Sequence, residues 1–353
     1  MLELLRELVE IESPTGSGGV RAVAERMGRE LETCGAEVEV LDRDHLRAEL
    51  PGDGAPLLLL GHSDTVWPTG TLSEMPFRIR DGRAYGPGVY DMKACLVVMV
   101  EAIRRAHDRN RALRVFLTGD EEGGSRSGRP LIEVAARGVA AALVVEPPEP
   151  DGSLKTARKG LGRFWISIAG RPAHASDPSA GASAIDELAH QILAVKRIGD
   201  DDRGITVNVG VVSGGTSENV VAAEAEARID VRIAHAADAA RVEDALSTLE
   251  PVTPGTTLAV GGGWTRPPLE RSPGGAALFA RARAHGLALG LDLREVAAAG
   301  GSDGNLVGAL GVPVLDGLGA QGGGAHARHE HVELASIPLR AELLARVLAD
   351  PGL

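Results

Sequence analysis

The hydrophobic positions of this chain change their spacing twice along its length. In the first part, a fully apolar run at residues 57–60 and strand patterns at 113–118 and 141–145 alternate with helical patterns, among them residues 93–106 and 129–137. Strands that are apolar on both faces and separated by helices are typical of a parallel sheet. The pattern therefore predicts an α/β domain with a mostly parallel sheet and helices on both faces.

A different hydrophobic pattern begins after Lys159-Gly160. Residues 163–168, 205–212 and 225–233 alternate between apolar and polar side chains, and helical patterns cover 182–198 and 238–249. Such alternation predicts half-exposed strands of an antiparallel sheet. From about residue 272 the first pattern, in which helices alternate with strands, returns. We therefore predict a discontinuous first domain, residues 1–161 and 270–353, interrupted by an α+β domain at 162–269.

Composition narrows the class of protein. The chain has 353 residues, and 49 acidic against 37 basic residues give a net charge of −12. Nucleic acids and anionic membranes require concentrated Lys and Arg, so neither is expected as a partner. No apolar run approaches the ~20 residues of a membrane span. Two cysteines do not make a disulfide framework, and the N-terminus does not have the pattern of a signal peptide. We expect a cytoplasmic protein.

Histidine and carboxylate side chains occur in five short motifs at the ends of hydrophobic runs. They are Gly61-His62-Ser63-Asp64, Gly88-Val89-Tyr90-Asp91-Met92-Lys93, Asp120-Glu121-Glu122-Gly123, Val145-Glu146-Pro147 and Gly324-Ala325-His326. Ligands that follow parallel strands meet at one edge of the sheet. Imidazole and carboxylate groups suit zinc, and an open coordination position makes such a site catalytic. The motifs together predict a metal-dependent hydrolase.

Each motif also has a simpler interpretation. An aspartate that opens a helix, as Asp91 does, is usually an N-cap. A His-x-Asp motif alone is weak evidence, although Asp64 could orient the His62 ring from two residues away. Residues 120–122 can form a solvated acidic turn, whereas three adjacent carboxylates that are buried require a cation.

The joint order and spacing of the motifs resemble the dinuclear zinc metallopeptidase family that includes glutamate carboxypeptidase, acetylornithine deacetylase, succinyl-diaminopimelate desuccinylase and aminoacylase. The resemblance extends from Ser13-Pro14-Thr15-Gly16 to His326, and residues 83–88 look most like the glutamate carboxypeptidase branch. It implies that the inserted domain is a lid or dimerisation domain.

The resemblance also implies two metal ions and their ligands. The two ligand sets would be His62, Glu146 and Asp91 for one ion, and Glu122, His326 and Asp91 for the other. Asp64 would orient His62. Glu121 would be the general base, because a water between two cations has a lowered pKa and a nearby carboxylate can take its proton. The ions would be zinc, with cobalt or manganese as alternatives. The peptide bond after Asp91 is expected to be cis.

Further roles implied by the resemblance lie outside the metal ligands. His174 would bind the tetrahedral oxyanion from the partner subunit, which implies a homodimer. Arg232 and Asn219 would hold the carboxylate of the substrate, and Ser302 would lie in a loop that contacts the substrate. The simpler interpretations are an exposed loop histidine, an edge-strand salt bridge and a turn amide.

Some positions depart from the family pattern. Tyr90 stands where the family usually has a small residue, and Ala94-Cys95 stand where it usually has Gly-Gly, which puts the shape of the pocket in question. Three histidines follow Gly324. The spacing to Glu330 selects His326 as the ligand, with His329 as the alternative, and His331 is expected at the start of a helix or strand.

The sequence thus predicts hydrolysis of an amide bond in a peptide or N-acyl amino acid with a free carboxylate. A deacylase of the acetylornithine deacetylase or desuccinylase type is the alternative enzyme. A non-catalytic binding protein on the same fold would be expected to lose the base, but Glu121 is present. A structural zinc site would have a closed, Cys-rich and locally spaced ligand set.

Overall fold

The computed structural model describes residues 1–352. The helices are α1 (Leu2–Glu10), α2 (Gly18–Thr33), α3 (Thr71–Glu74), α4 (Ala94–Arg105), α5 (Gly128–Ala135), α6 (Ala184–Lys196), α7 (Asp238–Ser247), α8 (Pro273–Leu287), α9 (Gly304–Gly308) and α10 (Ser336–Leu348). The strands are β1 (Glu37–Val40), β2 (Leu46–Leu50), β3 (Asp53–His62), β4 (Arg78–Arg80), β5 (Arg83–Tyr85), β6 (Arg111–Thr118), β7 (Ala141–Val144), β8 (Leu154–Arg158), β9 (Gly160–Ala169), β10 (Thr206–Gly214), β11 (Glu224–Ile233), β12 (Thr257–Arg266), β13 (Glu295–Ala298), β14 (Val314–Leu315), β15 (Gly322–Gly323) and β16 (His331–Glu333).

The chain divides into two compact units. Unit 1 contains residues 1–157, 271–298 and 302–353, and unit 2 contains residues 158–270 and 299–301. The domain boundaries predicted from the sequence lie within a few residues of the boundaries between the two units. Residues 299–301, which the sequence places in the first domain, belong to unit 2. No helix within residues 1–352 is long and apolar enough to cross a membrane.

Unit 1 is built on a six-stranded sheet with the strand order β1-β2-β6-β3-β7-β14. The neighbours β6, β3, β7 and β14 run parallel, while β2 and β1 form an antiparallel edge. Leu57–Leu60 in β3 are all fully buried, which explains why no polar residue interrupts this run. The mostly parallel sheet predicted from the sequence is confirmed.

The strand register brings the ends of three strands to one edge. In the parallel pairings His62 lies opposite Thr118, and Leu60 lies opposite Val144. The chain therefore leaves β3, β6 and β7 side by side, and the next residues of each strand carry the histidine and carboxylate motifs. This is the edge at which active sites of open α/β sheets form.

Unit 2 contains a separate four-stranded sheet with the order β10-β11-β9-β12, in which every pairing is antiparallel. Along β9 and β11, every second side chain is buried and packs in a core with residues of α6 and α7. The alternation seen in the sequence is the consequence, because one face of each strand lies on this core. The predicted antiparallel sheet is confirmed.

Candidate metal centre

Two histidines of unit 1 face the two oxygens of one aspartate. His62 Nε2 lies 3.3 Å from Asp91 Oδ1 and 3.5 Å from Glu146 Oε1. His326 Nε2 lies 3.5 Å from Asp91 Oδ2 and 3.2 Å from Glu122 Oε1. The five side chains therefore form two sets of three, and Asp91 belongs to both.

These separations fit the ligands of metal ions. A tetrahedral site with bonds of about 2.0–2.2 Å places its ligand atoms about 3.3–3.6 Å apart. The separations from each histidine to its two carboxylates are 3.3 and 3.5 Å for His62, and 3.5 and 3.2 Å for His326. His62, Asp91 and Glu122 also offer atoms that all lie within 4.8 Å of one another, so the two sets adjoin. The donors present fit two neighbouring divalent ions.

The surrounding carboxylates favour positive charge at both histidines. Burial lowers the pKa of His62, but hydrogen bonds to Asp64 and Asp91 outweigh burial and raise it well above the ordinary value. Hydrogen bonds to Asp91 and Glu122 raise the pKa of His326 to about 10. Divalent cations would supply the same positive charge while the rings stay neutral, as metal ligands must be.

Asp64 contacts both His62 and the pair of adjacent glutamates. Its side chain is buried and accepts hydrogen bonds from the backbone N–H groups of Glu121 and Glu122, both at 3.1 Å, and from Thr15 Oγ1 at 2.6 Å. His62 Nδ1 lies 3.0 Å from the Asp64 backbone oxygen. Donation through Nδ1 leaves the Nε2 lone pair directed at the other carboxylates, which is the tautomer a metal ligand requires.

The three acidic residues after β6 have different surroundings. Asp120 accepts hydrogen bonds from the N–H and hydroxyl groups of Ser127 and from the N–H of Gly128, at the start of α5. Glu122 contacts His326. Glu121 lies between them with a partly buried side chain. In this acidic turn, therefore, Asp120 contacts the start of α5 whereas Glu122 contacts His326.

The segment of Asp91 is a single π turn, Val89–Lys93, and the Asp91–Met92 peptide bond is cis, as expected. Four donors of this region converge on the buried carboxylate of Glu330, namely the backbone N–H groups of Gly88, Tyr90 and Asp91 and the indole N–H of Trp67. Burial raises the pKa of Glu330 to about 7 in spite of these hydrogen bonds. Because all four neighbours donate, they are satisfied by the ionised carboxylate.

Sequence reasoning did not assign Glu330 or Trp67 to the site. The spacing between His326 and Glu330 was the available signal, and it was used only to choose among the histidines. The turn at residues 324–330 places the His326 side chain, half of which is exposed, beside Glu122 and Asp91. His329 is exposed, and His331 is the first residue of β16.

The departures from the family pattern lie in the interior of unit 1. Tyr90 is buried, and its hydroxyl donates to the Pro148 backbone oxygen at 2.9 Å. Cys95 is fully buried and packs against Gly319, where an added Cβ would lie 2.3 Å from the Cys95 sulfur. The larger side chain at 95 is thus accommodated by a glycine in the facing segment.

Unit 2 brings His174 and Asn219 together. The backbone N–H of Ala175 donates to the Asn219 backbone oxygen at 2.9 Å, and His174 is exposed. The Ser176 N–H donates to His174 Nδ1 at 3.1 Å, so the neutral ring carries its proton on Nε2. The exposed imidazole therefore presents an N–H donor to its surroundings.

Arg232 and Ser302 are both engaged by other groups. Arg232 Nε donates to Asp230 Oδ1 at 2.9 Å, and Nη1 donates to the Ala299 backbone oxygen at 3.1 Å. Ser302 is fully buried in unit 1, and its hydroxyl donates to Asp316 Oδ2 at 2.6 Å. In this arrangement Ser302 presents no side-chain surface to a substrate, so its predicted contact would require a rearrangement.

An α/β unit with two histidine–carboxylate sets at its carboxyl edge is characteristic of a metal-dependent hydrolase. Residues 58–350 match the model of Peptidase family M20/M25/M40, and the chain belongs to this family. The resemblance seen in the motifs is thereby confirmed. The YXEP protein of Bacillus subtilis, whose crystal structure matches with a TM-score of 0.69 at 16% identity, is a dinuclear metal binding peptidase of the M20 family.

Individual relatives cover much or all of the chain. Carboxypeptidase G2 of Pseudomonas sp. (strain RS-16) is 29% identical over 379 residues, which span 100% of this chain and 89% of the relative. Acetylornithine deacetylase of Myxococcus xanthus is 33% identical over 180 residues, 47% of either chain. The crystal structure of a tripeptidase from Staphylococcus aureus subsp. aureus Mu50 matches with a TM-score of 0.81 at 22% identity and covers 99% of this chain and 96% of that one.

Proposed function

We propose that this protein is a carboxypeptidase-like amidohydrolase that uses two divalent ions, with zinc preferred over cobalt or manganese. Its substrate would be a peptide or N-acyl amino acid with a free carboxylate. The observation that carries the proposal is the division of Asp91 between two ligand sets, each with one histidine and one glutamate. The similarity to carboxypeptidase G2 over the whole chain supports the substrate class.

In this mechanism the metal ions, when bound, would lower the pKa of the attacking water and polarise the amide carbonyl. Glu121 takes the proton from that water and returns it to the leaving nitrogen, because its backbone is fixed by Asp64 beside the ligand Glu122. Asp64 holds His62 in the tautomer that presents Nε2. The tetrahedral oxyanion would be stabilised by the N–H of a histidine.

The substrate panel that tests this proposal varies the acyl group and the carboxylate separately. We expect amine release from zinc- or cobalt-loaded protein with N-acyl amino acids or dipeptides. We expect a much lower kcat/KM with the matching carboxamides, because a neutral carboxamide cannot form the ion pair proposed for the substrate carboxylate and Arg232. Preference for N-acetylornithine or N-succinyl-diaminopimelate would favour the deacylase alternative. The similarity to acetylornithine deacetylase supports this alternative. Tight binding of such amides without turnover would instead indicate a binding protein.

We further propose that the protein is a homodimer and that each site uses His174 of the partner subunit. The supporting observation is the exposed ring whose Nδ1 is occupied by Ser176 and whose Nε2 carries the proton. A heterodimer of a Glu121→Gln chain and a His174→Ala chain would then contain one complete site. We expect it, purified through two different affinity tags, to have about half of the wild-type activity, although each parent homodimer is inactive.

The matched control combines the same two substitutions in one chain. Paired with a wild-type chain, the double variant would leave no complete site if His174 acts across the dimer, so this heterodimer is expected to be inactive. Half-activity of the double-variant heterodimer, together with an inactive first heterodimer, would place His174 in the site of its own chain. A monomer in analytical ultracentrifugation would contradict the proposal outright.

A further inference from the structure

Glu330 connects the segment of the shared aspartate with the turn of His326. Its carboxylate accepts hydrogen bonds from the backbone N–H groups of Gly88, Tyr90 and Asp91 at 3.0, 2.9 and 3.1 Å. Its own backbone N–H donates to the Ala327 oxygen at 2.8 Å, one residue after His326. Through its side chain and its backbone, Glu330 thereby connects the segment of Asp91, a proposed ligand of both ions, with the turn of His326, a proposed ligand of one.

The two carboxylate oxygens of Glu330 accept hydrogen bonds from different donors. Oε1 accepts from Tyr90 and Asp91, and Oε2 accepts from Gly88 and, at 2.7 Å, from the indole of Trp67. Glu330 is 0% exposed, so water does not replace these contacts. Buried N–H groups require an acceptor, and those of residues 88, 90 and 91 find it in Glu330. The backbone of the π turn is therefore held with the Asp91 side chain between the two histidines.

We propose that Glu330 is a positioning residue for metal binding, which acts by holding Asp91 and the His326 turn in the geometry that two ions require. This inference rests on the proposed two-metal function of the same site. Outer hydrogen-bond partners of metal ligands commonly change metal affinity by about 10- to 100-fold when removed. A carboxylate that served only to stabilise the fold would change the melting temperature and leave the metal affinity of the folded protein as it was.

The Glu330→Gln variant tests this role with little change in shape. The amide oxygen can satisfy one pair of donors, but the NH₂ group then faces the other pair. We expect the affinity for zinc to fall by about 10- to 100-fold, measured by competition with a chromogenic chelator on metal-free protein whose folding is verified by circular dichroism. Added zinc should restore kcat, because the base and all ligands are still present.

Two further variants make the test specific. Glu333→Gln is the matched control, since Glu333 lies three residues after Glu330, at the end of β16, with its carboxylate at the surface, 2.8 Å from Arg83 Nε. The zinc affinity of this variant should equal that of wild type. Trp67→Phe removes the indole N–H, one of the donors that would face the NH₂ group of a glutamine at position 330. The double variant Trp67→Phe/Glu330→Gln should therefore bind zinc more tightly than Glu330→Gln alone, a coupling that general destabilisation does not produce.

Metal titration separates this inference from the proposed function. Wild-type zinc affinity in Glu330→Gln, with the wild-type protein active, would overturn the inference and leave the function intact. Weaker zinc binding in Glu330→Gln together with a wild type that turns over no amide would support the inference and contradict the function. A fall in melting temperature without a change in zinc affinity would show Glu330 to be structural and would also overturn the inference.

Discussion

Replacing Glu121 with glutamine is expected to reduce kcat by about 10²- to 10⁴-fold while both metal ions stay bound, because the variant lacks the atom that accepts the proton of the attacking water. The substitution keeps the side-chain length and leaves the backbone N–H groups of residues 121 and 122 on Asp64. The measurement is amine release from the best substrate of the panel, with bound metal per chain determined by elemental analysis on the same samples.

The neighbouring residue provides the matched variant. Glu122→Gln makes the same chemical change one position later, where the carboxylate lies 3.2 Å from His326 Nε2. It is expected to lose affinity for one ion, and part of its activity should return with added zinc. Equal loss of metal in both variants, or retained turnover in Glu121→Gln, would contradict the division of roles between the two glutamates.

The elements that position these residues were readable from the sequence because their burial is periodic. A strand covered on both faces has apolar side chains at consecutive positions, so Leu57–Leu60 indicated β3 and, with it, the position of His62 at the strand end. Helix α4, Ala94–Arg105, differs by one residue at either end from the pattern at 93–106. Both features depend on side chains within the element itself.

Strand β12 and helix α10 were not predicted, and the reasons differ. Strand β12 contains Gly261-Gly262-Gly263, a composition that disfavours strands, but an added Cβ at Gly261 would lie 2.3 Å from the Trp165 ring of the neighbouring strand. Helix α10 was not predicted although its buried positions are regular. Its Pro338 lies in the first turn, where a missing N–H is tolerated.

The same distinction holds for the candidate site. The ligand types and their places after strand ends follow from local sequence, and the resemblance to relatives supplied their pairing. Several partners of these residues come from distant positions: Ala299 for Arg232, Asp316 for Ser302, and Trp67 and Gly88 for Glu330. A single sequence does not show which polar groups meet in the interior, so these contacts could be found only in the structure.

Removal of the shared aspartate is expected to have the largest effect on metal binding. Asp91→Ala deletes one ligand from each set, because Oδ1 lies near His62 and Oδ2 near His326. Each ion would then keep one histidine and one glutamate from the residues described here. We expect zinc affinity to fall by more than about 100-fold at both sites, beyond the effect of losing an outer hydrogen bond, and turnover to fall below detection.

Thermal unfolding with and without zinc measures this loss independently of activity. An ion that binds only the folded state stabilises it by about 2.7 kcal/mol at 100 times its Kd, so wild-type protein should show a clear rise in melting temperature that Asp91→Ala lacks at the same zinc concentration. Asp108→Ala is the control, because Asp108 is exposed and its carboxylate pairs with the exposed His107. If Asp91→Ala kept the full zinc-dependent rise, Asp91 would not be the shared ligand. A loss of the rise for one ion equivalent alone would assign Asp91 to a single set and leave the second ion to be held by the remaining residues.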